Sequence, residues 1–152
     1  MESITSTSSA VVAVDEVTVT PVHETKGLRG TDPRERTHVP EQGIDPTVPP
    51  SGTGCVECEQ AGGWWLHLRR CAECGHIGCC DNSPSQHATA HARQSEHPVI
   101  ASFEPGEAWM YDYRTEEFLE SEPLAPPTHH PLDQTVPGPR DRVPADWQRR
   151  LN

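Results

Sequence analysis

Cys55-Val56-Glu57-Cys58, Cys71-Ala72-Glu73-Cys74-Gly75-His76-Ile77-Gly78-Cys79-Cys80 and His87-Ala88-Thr89-Ala90-His91-x5-His97 decide how this chain folds. They set out nine candidate soft-metal ligands in order along 43 residues, and all six cysteines of the chain are among them. A Cys-x2-Cys pair is a short chelate that places two thiolates on neighbouring corners of a tetrahedron without backbone strain. Two such pairs, one further cysteine and three histidines fill two closed four-coordinate sites and leave one cysteine over. A set that mixes thiolate with imidazole, with no thioether and no carboxylate triad, suits zinc better than copper or iron. The expected cofactor is therefore Zn2+, two ions, held by Cys55, Cys58, Cys71, Cys74, Cys79, His87, His91 and His97. The order of the ligands permits a linear arrangement, with four cysteines on one ion and Cys79 or Cys80 plus the three histidines on the other. Spacing from Cys74 favours Cys79 and spacing to His87 favours Cys80, so Cys80 stands as the alternative to Cys79.

Other uses of cysteine fit less well. A disulfide framework belongs to oxidising compartments and usually follows a secretory leader. Met1 to Ser6 has no basic region, and the apolar run Ala10 to Val14 is broken by Asp15-Glu16, so it does not read as a signal peptide. No stretch approaches the roughly 20 apolar residues of a membrane span. A redox Cys-x-x-Cys needs one copy and no trio of spaced histidines, and iron–sulfur spacings use four cysteines without them. A zinc protein of the cytoplasm is the expectation.

Composition divides the chain. Hydrophobic residues make up only 33% and mean hydropathy is -0.69, values set largely by the two ends. Of 16 prolines, 13 lie outside residues 55–120, whereas every Phe and Tyr and three of four Trp lie inside. Residues 1–52 read as a disordered polar arm, 53–120 as the zinc-bearing domain, and 121–152 as a Pro-rich, mostly disordered tail, because such arms bury too little apolar surface to offset the entropy of ordering. Val11 to Thr20 alternates weakly and reads as linker in preference to strand. Ser3 to Ser9 is rich in Ser and Thr, open to modification. Ala145 to Leu151 has the makings of one helical turn. A domain this small depends on its metal, since zinc binding contributes about 10–16 kcal/mol per site in finger peptides and that is folding energy.

Local signals outline a small α+β domain, one main helix against a few short antiparallel strands. Trp64 to Arg70 alternates, with Trp64, Leu66 and Leu68 on one face, and delivers Cys71. Cys74 to Cys79 forms a glycine-bearing knuckle. Ser83-Pro84-Ser85-Gln86 reads as a helix start, with Ser83 as N-cap and Gln86 completing a capping box. The helix runs to about Ser95 with His87 and His91 on one face, and His97-Pro98 ends it. Val99 to Phe103 follows as a strand. Ala108 to Tyr113 and Glu116 to Glu120 then pair as a hairpin.

The pattern resembles the UBP-type zinc finger of ubiquitin-specific proteases, over about residues 53 to 118. The residues that carry it are Cys55, Cys58, Cys71, Cys74, Cys79, the His87-Ala88-x2-His91 helix, His97-Pro98 and Trp109-x-Tyr111. Cys-Gly-His-x-Gly-Cys-Cys-Asp and Phe-Glu-Pro-Gly-Glu-x-Trp bring it nearest the short free-standing bacterial versions. The resemblance implies a cross-brace: Cys55, Cys58, Cys79 and His87 on one zinc, Cys71, Cys74, His91 and His97 on the other. Where some members hold a third zinc, this chain has Met110 and Tyr113 or Asp112.

Resemblance also implies a protein-interaction module that captures a glycine-ended C-terminal peptide or ubiquitin-like tail, with Trp109 and Tyr111 as peptide-binding walls. The arginine that members place just after the knuckle cysteine is replaced here by Cys80-Asp81-Asn82, a departure that weakens carboxylate pairing. The competing interpretations are that Trp109 and Tyr111 face the hairpin core, and that the domain is purely structural with a redox- or zinc-responsive spare thiol at Cys80. No catalytic residue is expected. His87-Ala88-Thr89-Ala90-His91 lacks the glutamate of a zincin helix, and closed sites leave no place for a reactive water. His67, His76, His129 and His130 read as solvated surface. Residues 55–120 carry eleven acids against four arginines and stay negative with two zinc ions counted, which argues against nucleic acid. A monomer with no membrane partner completes the expectation.

Overall fold

The alternation ahead of Cys71 and the knuckle behind it build the first two strands. In this computed structural model, which describes residues 43–151, they are β1 (Leu68–Cys71) and β2 (Ile77–Cys79), preceded by a short helix α1 (Val56–Ala61). The chain continues through α2 (His87–Ser95), β3 (Val99–Ser102), β4 (Met110–Asp112) and β5 (Glu117–Leu119). All five strands join one antiparallel sheet in the order β2-β1-β3-β4-β5. The small α+β architecture is the expected one. Val11 to Thr20 and Ser3 to Ser9 lie outside the described residues. No helix among the described residues is long and apolar enough to cross a membrane.

Two glycines show why the knuckle has its sequence. Gly75 has φ +75°, and a Cβ there would stand 2.1 Å from the carbonyl oxygen of Pro49, so only glycine meets both demands. Gly78 lies under α2, where a Cβ would meet the Ala88 backbone nitrogen at 2.6 Å. That contact seats the helix directly on β2.

Cross-strand register defines two faces, since residues directly opposite one another share a face. Cys71, Ile100, Tyr111 and Phe118 are successive partners on one face, which also carries Arg69 opposite Gly78. Helix α2 covers the β2 end of this face and leaves Tyr111 and Phe118 beyond it. Arg70, Ala101, Met110 and Leu119 are successive partners on the other. Leu68, Ile77, Val99 and Met110 are buried there.

Three expectations are corrected. The first strand starts at Leu68 rather than Trp64, and it is Trp65, 2% exposed, that enters the core with Leu68, Ile77 and Phe103. The cause is a distant partner: Trp65 donates to the Gly138 carbonyl at 2.7 Å and accepts from the Gly138 amide at 2.9 Å. Helix α2 starts at His87, with Gln86 in the left-handed region at φ 50° and no side-chain cap. Ser83 does not cap it because its hydroxyl accepts the Leu66 amide at 3.0 Å.

The third correction concerns residues 121–151, which lie on the core instead of leaving it. They have little regular structure, as their prolines dictate, and the expected turn near the end is a 3-10 turn at Trp147–Arg150. Single residues fasten the segment. The His130 amide donates to the Phe103 carbonyl at 2.9 Å, and Arg142 Nη1 donates to the Cys58 carbonyl at 3.3 Å. Residues 43–51, part of the arm expected to be disordered, are likewise tied down, with Asp45 donating to the Ala72 carbonyl and Ser51 to the Gly75 carbonyl, both at 2.8 Å. Proline-rich backbone presents few amides, so a few point contacts satisfy it, and such contacts leave no periodic trace in sequence.

Candidate metal centres and an aromatic concavity

Helix α1 exists to present the first chelate. Cys55 sits at its N-terminus and Cys58 one turn on, while Cys79 ends β2 and His87 opens α2. Their four donor atoms lie within 4.8 Å of one another. His87 Nδ1 is 3.2 Å from Cys55 Sγ, 3.4 Å from Cys58 Sγ and 3.5 Å from Cys79 Sγ, and the Cys58 and Cys79 sulfurs are 4.0 Å apart. A zinc tetrahedron with bonds of about 2.0–2.3 Å has edges of about 3.5–3.8 Å, so the cluster fits the ion.

Electrostatics agree with the fit. Hydrogen bonds with the Cys58 and Cys79 sulfurs, then burial, push the Cys55 thiol far up. The Cys55 contact acts to lower Cys58, yet the Cys79 contact and burial outweigh it and leave Cys58 at about 12. Cys79 is held low, first by the Cys55 and Cys58 thiols and further by the His87 amide, which donates to its sulfur at 3.3 Å. Three buried sulfurs this close together oppose one another's ionisation, a cost that a bound dication would relieve.

The second cluster gathers Cys71 at the end of β1, Cys74 in the knuckle, His91 on α2 and His97 beyond it, again within 4.8 Å. Cys74 Sγ is 3.3 Å from His91 Nε2. Burial pushes Cys71 to about 12. Burial, followed by the neighbouring His76 and His97, lowers His91 to about 4, which keeps its imidazole neutral and able to ligate. Both tetrads carry soft sulfur and imidazole donors, and bound zinc would serve as a folding staple.

The arrangement is cross-braced, so the linear alternative does not apply: His87 and His91 share a helix face but join different clusters. Cys79 is in the first cluster, whereas Cys80 is buried 3.3 Å from Ser83 Oγ and belongs to neither. Two histidines read as surface have structural places. His76 stacks on His91 with ring centres 4.0 Å apart and meets Glu57 Oε1 at 2.7 Å, which links the two clusters. His130, 2% exposed, donates from Nδ1 to the Pro131 carbonyl and meets Glu104 Oε2 with Nε2, both at 2.9 Å. Neither contact follows from sequence spacing.

Beyond α2 on the same face of the sheet, aromatic rings wall a concavity of about 470 Å³. Trp109 and Tyr111 are half-buried here and each meets the ring of Phe118, at 5.6 and 5.2 Å. Tyr113 adjoins Tyr111 at 5.5 Å, and Phe118 is 71% exposed. Sequence reasoning singled out Trp109 and Tyr111 and missed Tyr113, Phe118, Arg69 and Arg93, which line the same space. The alternation from Trp109 to Tyr113 already carried the signal for Tyr113.

The family described as "Zn-finger in ubiquitin-hydrolases and other protein" matches residues 55–124. No curated protein matches the chain. The solution NMR structure of protein RPA1320 from Rhodopseudomonas palustris is similar, at 41% identity and a TM-score of 0.50, over 62% of this chain and 88% of that one. With both tetrads in place and a free-standing relative of this identity, the chain belongs to the UBP-type zinc-finger family.

Proposed function

We propose that this protein is a non-catalytic, zinc-stapled interaction module that captures a glycine-ended C-terminal tail in its aromatic concavity. The observation that carries this reading is the exposed Phe118 ring standing against Trp109 and Tyr111 over an open space. Large apolar rings left half-open on a 109-residue described fold are surface that a partner would cover. A narrow wall of rings suits a backbone without side chains, because glycine lets the peptide lie flat against them. Both tetrads have four protein donors, so the metals have a structural role in this reading. All six cysteines are free thiols, which suits a cytoplasmic setting. The protein acts as a monomer, its partner is a protein terminus, and its acidic charge of -11 disfavours nucleic acid.

The test is an NMR titration of the zinc-loaded full chain with an N-acetylated Ala-Gly-Gly peptide, followed at the Trp109 indole N–H. That group donates to Glu107 Oε2 at 3.0 Å and so reports on the wall itself. Saturable shifts with a Kd in the range of about 10 μM to 1 mM are expected for a small pocket. An unmoved indole at several millimolar peptide would overturn tail capture.

A further inference from the structure

We infer that Arg69 is the residue that binds the terminal carboxylate of the captured tail, an inference that rests on the tail-capture reading above. A peptide C-terminus brings a full negative charge into a space walled by rings, and that charge requires a fixed cation with donors to spare. Cys80 and Asp81, which line the same space, are a buried thiol and an acid and supply no cation.

The alternation of β1 supplies it. Arg69 shares a face with Ile100 and Tyr111, whereas its neighbour Arg70 points through the sheet to the other side. The Arg69 guanidinium lies 4.6 Å over the ring of Trp109 and lines the concavity. It is anchored through one nitrogen, as Nη1 donates to the Leu68 carbonyl at 2.9 Å and reaches Ser102 Oγ at 3.5 Å. The ring contact and this anchor restrain the guanidinium, which favours a two-point contact with a planar carboxylate.

Among the described residues Arg114 pairs with Asp112 and Arg150 with Asp146, whereas Arg69 and Arg93, the two cations that line the concavity, join no ion pair; the ring contact and the Leu68 anchor set Arg69 apart. An unpaired guanidinium on so acidic a protein, set over an aromatic ring, is suited to receive an anion. Asp81 and Glu116 also line the concavity and oppose an anion there; the Thr89 hydroxyl donates to Asp81 and leaves its charge in place. Arg93, on α2, lines it too and is the competing candidate.

The experiment compares N-acetylated Ala-Gly-Gly with its C-terminal amide against the zinc-loaded full chain and against its Arg69→Gln and Arg93→Gln variants. For the unmodified chain the acid is expected to bind about tenfold to a hundredfold more tightly than the amide. Arg69→Gln is expected to erase that preference by weakening the acid alone, with Arg93→Gln keeping most of it. Equal binding of acid and amide to the unmodified chain would overturn carboxylate capture and leave tail capture standing. Preference lost in Arg93→Gln and kept in Arg69→Gln would overturn the assignment to Arg69. No binding of either peptide would overturn tail capture itself, and this inference with it. Native mass spectrometry checks that Arg69→Gln keeps two zinc ions. If it does not, the Arg69 Nε–H resonance of the unmodified chain decides, shifting with the acid and not with the amide if Arg69 is the anchor.

Discussion

The two metal clusters have the same kind of ligands and different neighbourhoods. In the first, Cys55, Cys58 and Cys79 are at most 1% exposed and pack with Trp65, Leu68, Ile77 and Phe103. Its sulfurs are themselves part of the apolar core. In the second only Cys71 is fully buried, and Cys74, His91 and His97 stand half-open where α2 ends. The difference teaches that one tetrad organises the interior and the other fastens a helix to a knuckle. Loss of the first removes core packing together with metal. Loss of the second removes a clamp from a sheet that keeps its own ladder.

Cys58→Ser should therefore have the largest effect. We expect one zinc ion to be lost and no cooperative thermal transition to remain, because a marginal fold of about 5–15 kcal/mol does not survive loss of a site worth about 10 or more. Circular dichroism with native mass spectrometry reads both, and a folded Cys58→Ser protein with one zinc would break the comparison. Cys74→Ser should cost less, leaving a cooperative thermal transition and near-native sheet content, with faster amide exchange confined to the end of α2 and His97. Uniform exchange across β1 to β3 would show that the two clusters are energetically one unit.

Acid sharpens the same contrast. Cys58 and Cys71 are pushed up to about 12 from 9.0, so in the zinc-free fold each keeps its proton near neutrality and is destabilised only as pH rises from about 9 toward 12. Zinc reverses the sign, since it binds the thiolate and must displace that proton. Its affinity then falls as pH falls, by about 1.4 kcal/mol per pH unit for each proton displaced. Cys79, already held low, releases none near pH 7. Calorimetric titration of zinc in buffers of different ionisation enthalpy would count those protons, and zinc uptake independent of pH between 6 and 8 would contradict this account.

Sequence carried the ligands and α2 because both are set by short covalent spacing: Cys55 to Cys58, Cys71 to Cys74, His87 to His91. It carried the β4–β5 hairpin through the alternation around Tyr111. It misplaced what depends on distant partners. Ser83 had the identity and position of a helix cap, yet its hydroxyl serves Leu66. Trp64 fitted the alternation, but the pairing of Trp65 with Gly138 decided which ring turned inward. Arg69 and Arg70 were adjacent cations in the sequence, and only the pleat of β1 sends them to opposite faces with different surroundings.

Arg70 has a consequence of its own. This side chain is 1% exposed, and its guanidinium donates to the carbonyls of Ala125 at 2.8 Å, Pro127 at 3.4 Å and Val48. All three acceptors lie outside residues 55–124, the span over which family likeness is recognised. The unit that is inherited and the unit that folds are thus different lengths of chain. A protein trimmed to the inherited span would keep every zinc ligand and yet lose all three acceptors of that guanidinium.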